Sequence, residues 1–198
     1  GFFEPQEKMI KMKQNLRNLF HRADLNENSM KRKLLHYTVS MTQDFNRLWT
    51  LFKEYHSEVA RYSGEMALPN KENFVSFWAS GDKWSYFLEE DKSPIGFVIL
   101  QTINCPAAGT TIEVGAIYVR KENRGIQSLK LYKVAVDLAS SKGLAVSSQI
   151  AGDNTHSLKI YEILKKKYSK SSEYVFTNKK IDKGRVFVTC QRKRQVLG

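Results

Sequence analysis

Cysteine and histidine are scarce in this chain of 198 residues, which has two of the first and four of the second. Cys105 precedes Pro106 at a predicted hairpin tip and Cys190 lies in a predicted terminal strand, so the two thiols do not form a disulfide framework and we expect both to be reduced. The histidines stand at positions 21, 36, 56 and 156. Because this spacing matches no metal-binding pattern, we expect no metal site.

Long apolar runs are also missing. No stretch is long enough to cross a membrane, the N-terminus has no signal-peptide pattern, and the chain has neither an internal repeat nor a low-complexity tract. With 41% apolar and 26% charged residues, a chain of this length can bury one good core and is too short for two large domains. We therefore expect a soluble protein, cytoplasmic or otherwise intracellular, that does not act in a membrane.

Acidic residues are few near the C-terminus, and this makes the net charge of +12 uneven. Residues 37–162 have 13 basic and 14 acidic side chains, whereas residues 163–198 have 11 basic and two acidic ones. Such a basic segment attracts polyanions, and nucleic acid is the natural candidate partner. The alternative is that these lysines only keep the surface soluble.

Three domains are predicted along the chain. Residues 1–32 form an N-terminal extension, in which Met9, Met12, Leu16 and Leu19 recur at helical spacing between basic residues, as in a basic amphipathic helix. This helix could pack on the domain, pair with another protomer or lie along an acidic partner. Residues 33–191 form the main domain, and residues 192–198 form a basic C-terminal tail.

The main domain is predicted to follow the order β-α-α-β-β-β-α-β-α-β-β. The first five elements are a strand at 34–41, helices at about 42–61 and 71–79, and strands at 84–89 and 95–102, the last two joined by a turn over 90–94. Later strands are predicted at 112–119, 144–150, 173–177 and 185–191, with helices at about 127–142 and 155–167. A strand-helix-strand order at 112–150 favours two neighbouring strands with parallel character.

Residues 112–168 contain the most informative pattern. A β-branched strand ends at Val119, and the polar segment Arg124-Gly125-Ile126-Gln127-Ser128-Leu129 leads into a helix. The next helix begins at Asn154, followed by Ser157 and then Tyr161. A tight turn that runs into a helix start offers several backbone N–H donors and the positive end of the helix dipole, which together suit a phosphate group.

This pattern resembles the GNAT superfamily of N-acetyltransferases, whose core is a strand, a phosphate-cradling turn and a helix. The arginine and the Arg-Gly pair of the turn match, whereas Gln127 and Leu129 stand where the family has Gly and Gly or Ala. The resemblance implies an α/β fold (an α+β mixed sheet): a central mixed β-sheet of six to seven strands flanked by helices, here with the basic N-terminal helix in addition.

The resemblance also implies that acetyl-coenzyme A is the cofactor. Arg124, Gly125, Ile126, Gln127, Ser128 and Leu129 would cradle its diphosphate, and the side chains of Gln127 and Leu129 must then point away from it. Main-chain groups near Ile117, Tyr118 and Val119 would pair with the pantetheine arm like an added strand. Asn154 and Tyr161, at the start of the second helix and within it, would complete the cofactor site.

Acyl transfer to an amine needs a base, an oxyanion donor and an acid for the departing thiolate. By the resemblance Tyr161 is the acid; its plain alternative is a core tyrosine at helical spacing. Glu113 is a candidate base or water-mediated proton acceptor, and its alternative is a solvated strand residue. A main-chain N–H around Ile117 to Val119 would stabilise the oxyanion.

Two functions remain open at this point. In the first, the protein is an acyl-CoA-dependent N-acetyltransferase whose acceptor amine is on, or delivered by, an anionic macromolecule: a nucleobase, an aminoacylated RNA or a protein lysine. In the second, the domain has kept the fold and lost the cofactor chemistry, and it acts as a binding or structural protein that associates with nucleic acid or a protein partner. The residues at positions 127 and 129 favour the second.

Overall fold

The computed structural model of this protein describes residues 14, 36–62, 66–106, 108–170, 173–181 and 184–193. By its contacts the chain divides into two compact units, residues 1–38 and residues 39–198. Nearly all of the first unit lies outside the described residues, and so do the helix predicted within residues 1–32 and most of the tail predicted at 192–198. The β-sheet belongs to the second unit, apart from the start of its first strand.

Seven strands and four α-helices occur in the described residues. The strands are β1 (Tyr37–Met41), β2 (Lys83–Glu90), β3 (Ser93–Cys105), β4 (Gly109–Val119), β5 (Ala145–Ala151), β6 (Tyr174–Ile181) and β7 (Arg185–Arg192). The helices are α1 (Phe45–Val59), α2 (Lys71–Trp78), α3 (Ser128–Ser141) and α4 (Thr155–Ser169). This is the predicted order of elements, with most ends shifted by one to four residues.

The seven strands form one mixed sheet in the order β1-β2-β3-β4-β5-β7-β6. The β2–β3, β3–β4, β5–β7 and β6–β7 pairs are antiparallel, and β4 and β5 are parallel. The predicted mixed sheet and the predicted parallel neighbours are therefore confirmed.

Helices α1 and α2 cover one face of the sheet through an aromatic cluster. Trp49 and Phe74 are buried, with ring centroids 5.1 Å apart, and the Phe52 ring lies tilted against Phe74 with centroids 4.6 Å apart. Phe97 of β3 is fully buried beneath them. Side-chain caps fix where both helices start, because Asp44 accepts from the Arg47 N–H and Asn70 from the Asn73 N–H.

Helix α3 covers the opposite face. Leu131, Ala135 and Ala139 recur at every fourth position and are buried. Two of the three are alanines, and their small side chains let the helix lie close to the sheet. Helix α4 packs farther along this face, where Tyr161 contacts Phe176 of β6 edge-on at 6.0 Å.

The β2–β3 connection differs from its prediction. A five-residue turn at 90–94 was expected, but only Asp91 and Lys92 lie outside the strands, both with positive φ (48° and 66°). Two successive residues with positive φ make a tight hairpin whose twist matches the sheet. Pro94 therefore lies inside β3, at its second position.

Among the described helices, none combines the length and the apolar character that a membrane span requires.

Candidate active site

Strands β4 and β5 pair over only three residues and then diverge. The pairs are Thr111 with Ala145, Ile112 with Val146, and Glu113 with Ser147. The buried hydroxyls of Thr111 and Ser147 hydrogen-bond at 2.7 Å, which locks the strands together just before they separate. From Val114 to Val119 the edge of β4 that faces β5 has no strand partner among the described residues. The result is a wedge-shaped opening in the middle of the sheet.

A groove of about 550 Å³ lies at the wide end of this opening. Its walls come from the C-terminal part of α1, the end of β4, helix α3 and the first turns of α4. Four of the predicted site residues outside the diphosphate turn line it: Ile117, Tyr118, Val119 and Asn154. The cationic side chains of Arg61, Lys121 and Arg124 also line it, together with the carboxylate of Glu58. Its size is typical of a small-molecule or cofactor site.

The turn before α3 presents free backbone donors. The N–H groups of Gly125, Ile126 and Gln127 hydrogen-bond to no described residue, and Gly125 and Ile126 are exposed. The Gln127 side chain is buried and folds back against Gly125, whose φ is +144°. The Gln127 side chain, which has to point away from a bound diphosphate, is thus packed against the turn, and the backbone at Gly125 and Ile126 stays exposed.

Two arginine–glutamate pairs tie this end of β4 to α1. Arg120 binds Glu54 through two nitrogens at 3.1 and 3.2 Å. One turn further along the helix, Arg124 contacts Glu58 at 2.5 Å and donates to the Val119 carbonyl at 2.8 Å. The Arg124 guanidinium therefore holds the turn in place through two of its five N–H groups, and the free backbone N–H groups of the turn lie next to it.

Helix α4 places its two predicted site residues differently. The Asn154 side chain accepts from the Ser157 N–H at 3.1 Å and so caps the helix at the groove. Tyr161 lies deeper, among apolar side chains that line a second, smaller cavity, and its hydroxyl donates to the Thr177 carbonyl of β6 at 2.8 Å. Burial raises the pKa of Tyr161 to about 12. The phenol is therefore protonated at neutral pH.

Glu113 occupies the face of the sheet that α1 and α2 cover. Its carboxylate accepts a hydrogen bond from the Gln101 side chain at 3.1 Å. Burial raises the pKa of Glu113, opposed by this hydrogen bond and by the charge of Arg185. A carboxylate with a raised pKa is a better proton acceptor than a solvated one.

Tyr132 of α3 was not predicted, and it lines both the groove and the smaller cavity. Its hydroxyl hydrogen-bonds to no described residue, and burial raises its pKa to about 12. In the sequence Tyr132 has the helical spacing of a core residue, among Leu131, Ala135 and Val136. Its place at the site becomes visible only from the position of α3 beside the opening between β4 and β5. The structure thus brings two phenols to this part of the molecule.

Comparison with solved structures identifies the architecture. An acetyltransferase from Streptococcus agalactiae 2603 matches with a TM-score of 0.58 at 10% identity, over 80% of this chain and 99% of that one. Naa50 from Arabidopsis thaliana, in complex with the bisubstrate analogue CoA-Ac-MVNAL, matches with 0.53 at 11% identity, over 80% and 99%. This chain has the GNAT acetyltransferase fold.

A third structure with the acetyltransferase fold is AAC(6')-Iy in complex with a bisubstrate analogue, CoA-S-monomethyl-acetylneamine. It matches with a TM-score of 0.53 at 16% identity, over 65% of this chain and 89% of that one. No protein-family model matches the chain, and neither does the sequence of any curated protein. The likeness therefore lies in the fold and not in the overall sequence.

Proposed function

We propose that this protein is an acyl-CoA-dependent N-acetyltransferase. The observation that supports this most strongly is the opening between β4 and β5, with an unpartnered strand edge on one side and free helix-start donors at one end. The acetyltransferase fold supports it as well, and two of the similar structures contain CoA-based bisubstrate analogues.

The residues at the opening fit acetyl-CoA. The amides of Gly125, Ile126 and Gln127 would bind its diphosphate at the start of α3, where the helix dipole favours an anion. Ser128 and Leu129 begin that helix. The open edge of β4 up to Val119 would pair with the amides of the pantetheine arm, as an added strand does. Arg61 and Lys121 give this groove cationic character that suits an anionic cofactor.

Bound acetyl-CoA supplies a thioester whose carbonyl carbon accepts the amine. The free edge of β4 offers main-chain N–H groups to the developing oxyanion, around Ile117 to Val119. Glu113, four residues ahead of Ile117 and with a raised pKa, would accept the proton that the attacking amine releases, directly or through water.

Tyr161 would act by hydrogen bonding to the departing sulfur. Its pKa of about 12 lies well above the value of about 8.5 that is typical of a thiol, so complete proton transfer to the thiolate is uphill by roughly 5 kcal/mol. A hydrogen bond from the phenol needs no such transfer. To make it, the hydroxyl must leave the Thr177 carbonyl, its present acceptor.

Titration of the full chain with CoA in a calorimeter at low salt tests the proposal. We expect micromolar binding that Gly125→Ala weakens at least tenfold, because Gly125 has φ +144° and an added Cβ would lie 2.8 Å from the Gln127 Oε1 atom. Gly109→Ala is the matched control, since Gly109 also has positive φ (+70°) but has open space around it. No heat at millimolar CoA would favour a binding protein that has lost the cofactor chemistry.

We further propose that the acceptor amine belongs to, or arrives on, an anionic macromolecule, for which nucleic acid is the candidate. The exposed lysines of α4, of its C-cap and of β6 support this: Lys159, Lys166, Lys167, Lys170, Lys179 and Lys180. None of them forms an ion pair with a described acidic side chain. Lysines without acidic partners leave a positive field that phosphates can neutralise.

Binding to a fluorescent RNA oligonucleotide at increasing salt tests this second proposal. We expect affinity that falls steeply with salt and that the double variant Lys166→Glu/Lys170→Glu abolishes. Lys71→Glu/Lys92→Glu is the control, because it makes the same change of charge on exposed residues elsewhere. Equal losses in the two variants would mean that only net charge matters and would refute a defined binding face.

A further inference from the structure

A second, smaller cavity lies beyond the groove, between helices α3 and α4 and the sheet, and it meets the narrow end of the β4–β5 opening at Val114 and Ser147. It measures about 80 Å³. Apolar atoms make up most of its surface and come from Val114, Val136, Val146, Ile150, Leu164 and Phe176, while hydroxyl-bearing residues such as Tyr132 and Tyr161 complete the lining. An apolar cavity of this kind holds hydrocarbon better than water, because water would find few hydrogen-bonding partners there.

The cavity and the groove are neighbours along the same strand. Ile117, Tyr132 and Ser157 line both spaces, and Val114 of β4 lines only the cavity. A ligand that enters near Arg124 and follows β4 backwards through the groove therefore reaches the cavity with its far end. For an acyl thioester of coenzyme A bound as proposed above, that end is the acyl chain.

The volume of the smaller cavity exceeds the volume that the methyl group of an acetyl group would fill. Acetyl has a single methyl carbon beyond its carbonyl. An apolar cavity of roughly 150 Å³ in an engineered core holds benzene, with its six carbons, so a cavity about half as large holds about three. Three carbons beyond the carbonyl correspond to a butyryl group.

We infer that the cavity is an acyl-chain site and that the preferred donor has a three- or four-carbon acyl group, propionyl or butyryl. This inference rests on the proposed function and specifies its substrate. In the transfer, the amine nitrogen bonds to the acyl carbonyl carbon, the carbon–sulfur bond breaks, and sulfur leaves as the thiolate. The amine proton passes to Glu113 and the thiolate is protonated from solvent, while the chain stays in the cavity.

Calorimetric binding of CoA, acetyl-CoA, propionyl-CoA, butyryl-CoA and octanoyl-CoA to the full chain, without acceptor, tests the inference. Each methylene that leaves water should tighten binding about fourfold, so butyryl-CoA, which has two more methylenes, should bind roughly fifteenfold more tightly than acetyl-CoA. Octanoyl-CoA should bind more weakly than butyryl-CoA, because Leu164 and Phe176 bound the cavity. Equal affinities, or affinities that fall from acetyl to butyryl, would overturn the inference while leaving the acetyltransferase proposal intact. Failure of CoA itself to bind would overturn both.

Variants of the lining make the test specific. Val136→Leu adds a methylene to the wall and should remove most of the butyryl advantage while leaving acetyl-CoA affinity within twofold. Val146→Ala enlarges the cavity and should move the optimum to a longer chain. Val175→Leu on β6, where the side chain is 43% exposed, is the matched control and should change neither. Thermal midpoints confirm that each variant folds, and an unchanged chain-length profile in both lining variants would overturn the inference.

Discussion

Gly115 lies at an irregular position of β4. Gly115→Ala should destabilise the protein because the added methyl group would clash with the side chain of Trp78. The β3–β4 register shifts between Ile99 and Leu100, which leaves Gly115 as an extra residue on its strand. A Cβ added there would lie 2.7 Å from Cη2 and 3.1 Å from Cζ2 of Trp78, at the end of α2. No positive φ is involved, so the clash alone determines the cost.

The magnitude can be worked out from the distances. Carbon atoms pack best at about 3.5–4.0 Å, so the indole of Trp78 must move by about 1 Å. That ring packs against Phe77 at 5.1 Å and borders the buried aromatic cluster, which limits where it can go. Overpacking of this kind costs about 1–3 kcal/mol. At about 2–4 °C per kcal/mol for a chain of this size, the thermal midpoint should fall by about 2–12 °C.

Urea denaturation of a double-mutant cycle isolates the contact. Trp78→Leu removes both atoms that the new methyl group would meet, so in that background Gly115→Ala should cost less than about 0.5 kcal/mol. A substitution that costs the same in both backgrounds, or nothing in either, would refute the reasoning from this contact.

Three further outcomes are expected. Tyr161→Phe should lower kcat by about 10–100-fold with little change in CoA affinity, since a hydrogen bond to a charged partner is worth about 1.5–3 kcal/mol. If Tyr132→Phe lowers kcat and Tyr161→Phe does not, the role belongs to Tyr132. Burial raises the pKa of Glu113, so the native protein loses stability as pH rises from the ordinary glutamate pKa through the raised one. Glu113→Gln should therefore gain stability relative to the native protein across that interval in urea titrations, and parallel pH profiles would contradict this. Arg124→Gln should lower the free energy of unfolding by about 1–2 kcal/mol, because it removes the ion pair to Glu58 and the hydrogen bond to the Val119 carbonyl. An unchanged urea midpoint would contradict this.

The elements of the sheet could be predicted because hydrophobic periodicity is local. The apolar stripe of α1 and the β-branched run of β4 are visible in the sequence, and both elements form. The hairpin at Asp91 and Lys92 was predicted too long, because residues other than glycine seldom adopt positive φ and the strand pairing there overrides that preference.

The site was predictable only in part, because its shape is set by contacts that are distant in sequence. The helix start at Asn154 is a local signal, whereas the short pairing of β4 with β5, over three residues, joins segments more than 30 residues apart and has no local signature. The acceptor of the Tyr161 hydroxyl belongs to a strand 16 residues away. Tyr132 has the spacing of a core residue, and no local pattern distinguishes it.

Hydrogen–deuterium exchange with and without CoA tests the central claim most directly, because it reports on individual stretches of backbone. If the diphosphate binds at the start of α3 and the pantetheine arm pairs with β4, CoA should slow exchange at residues 125–128 and 114–119. The distant hairpin at Asp91 and Lys92 should keep its exchange rate. Slowed exchange elsewhere, with both of those segments unchanged at saturating CoA, would contradict the account.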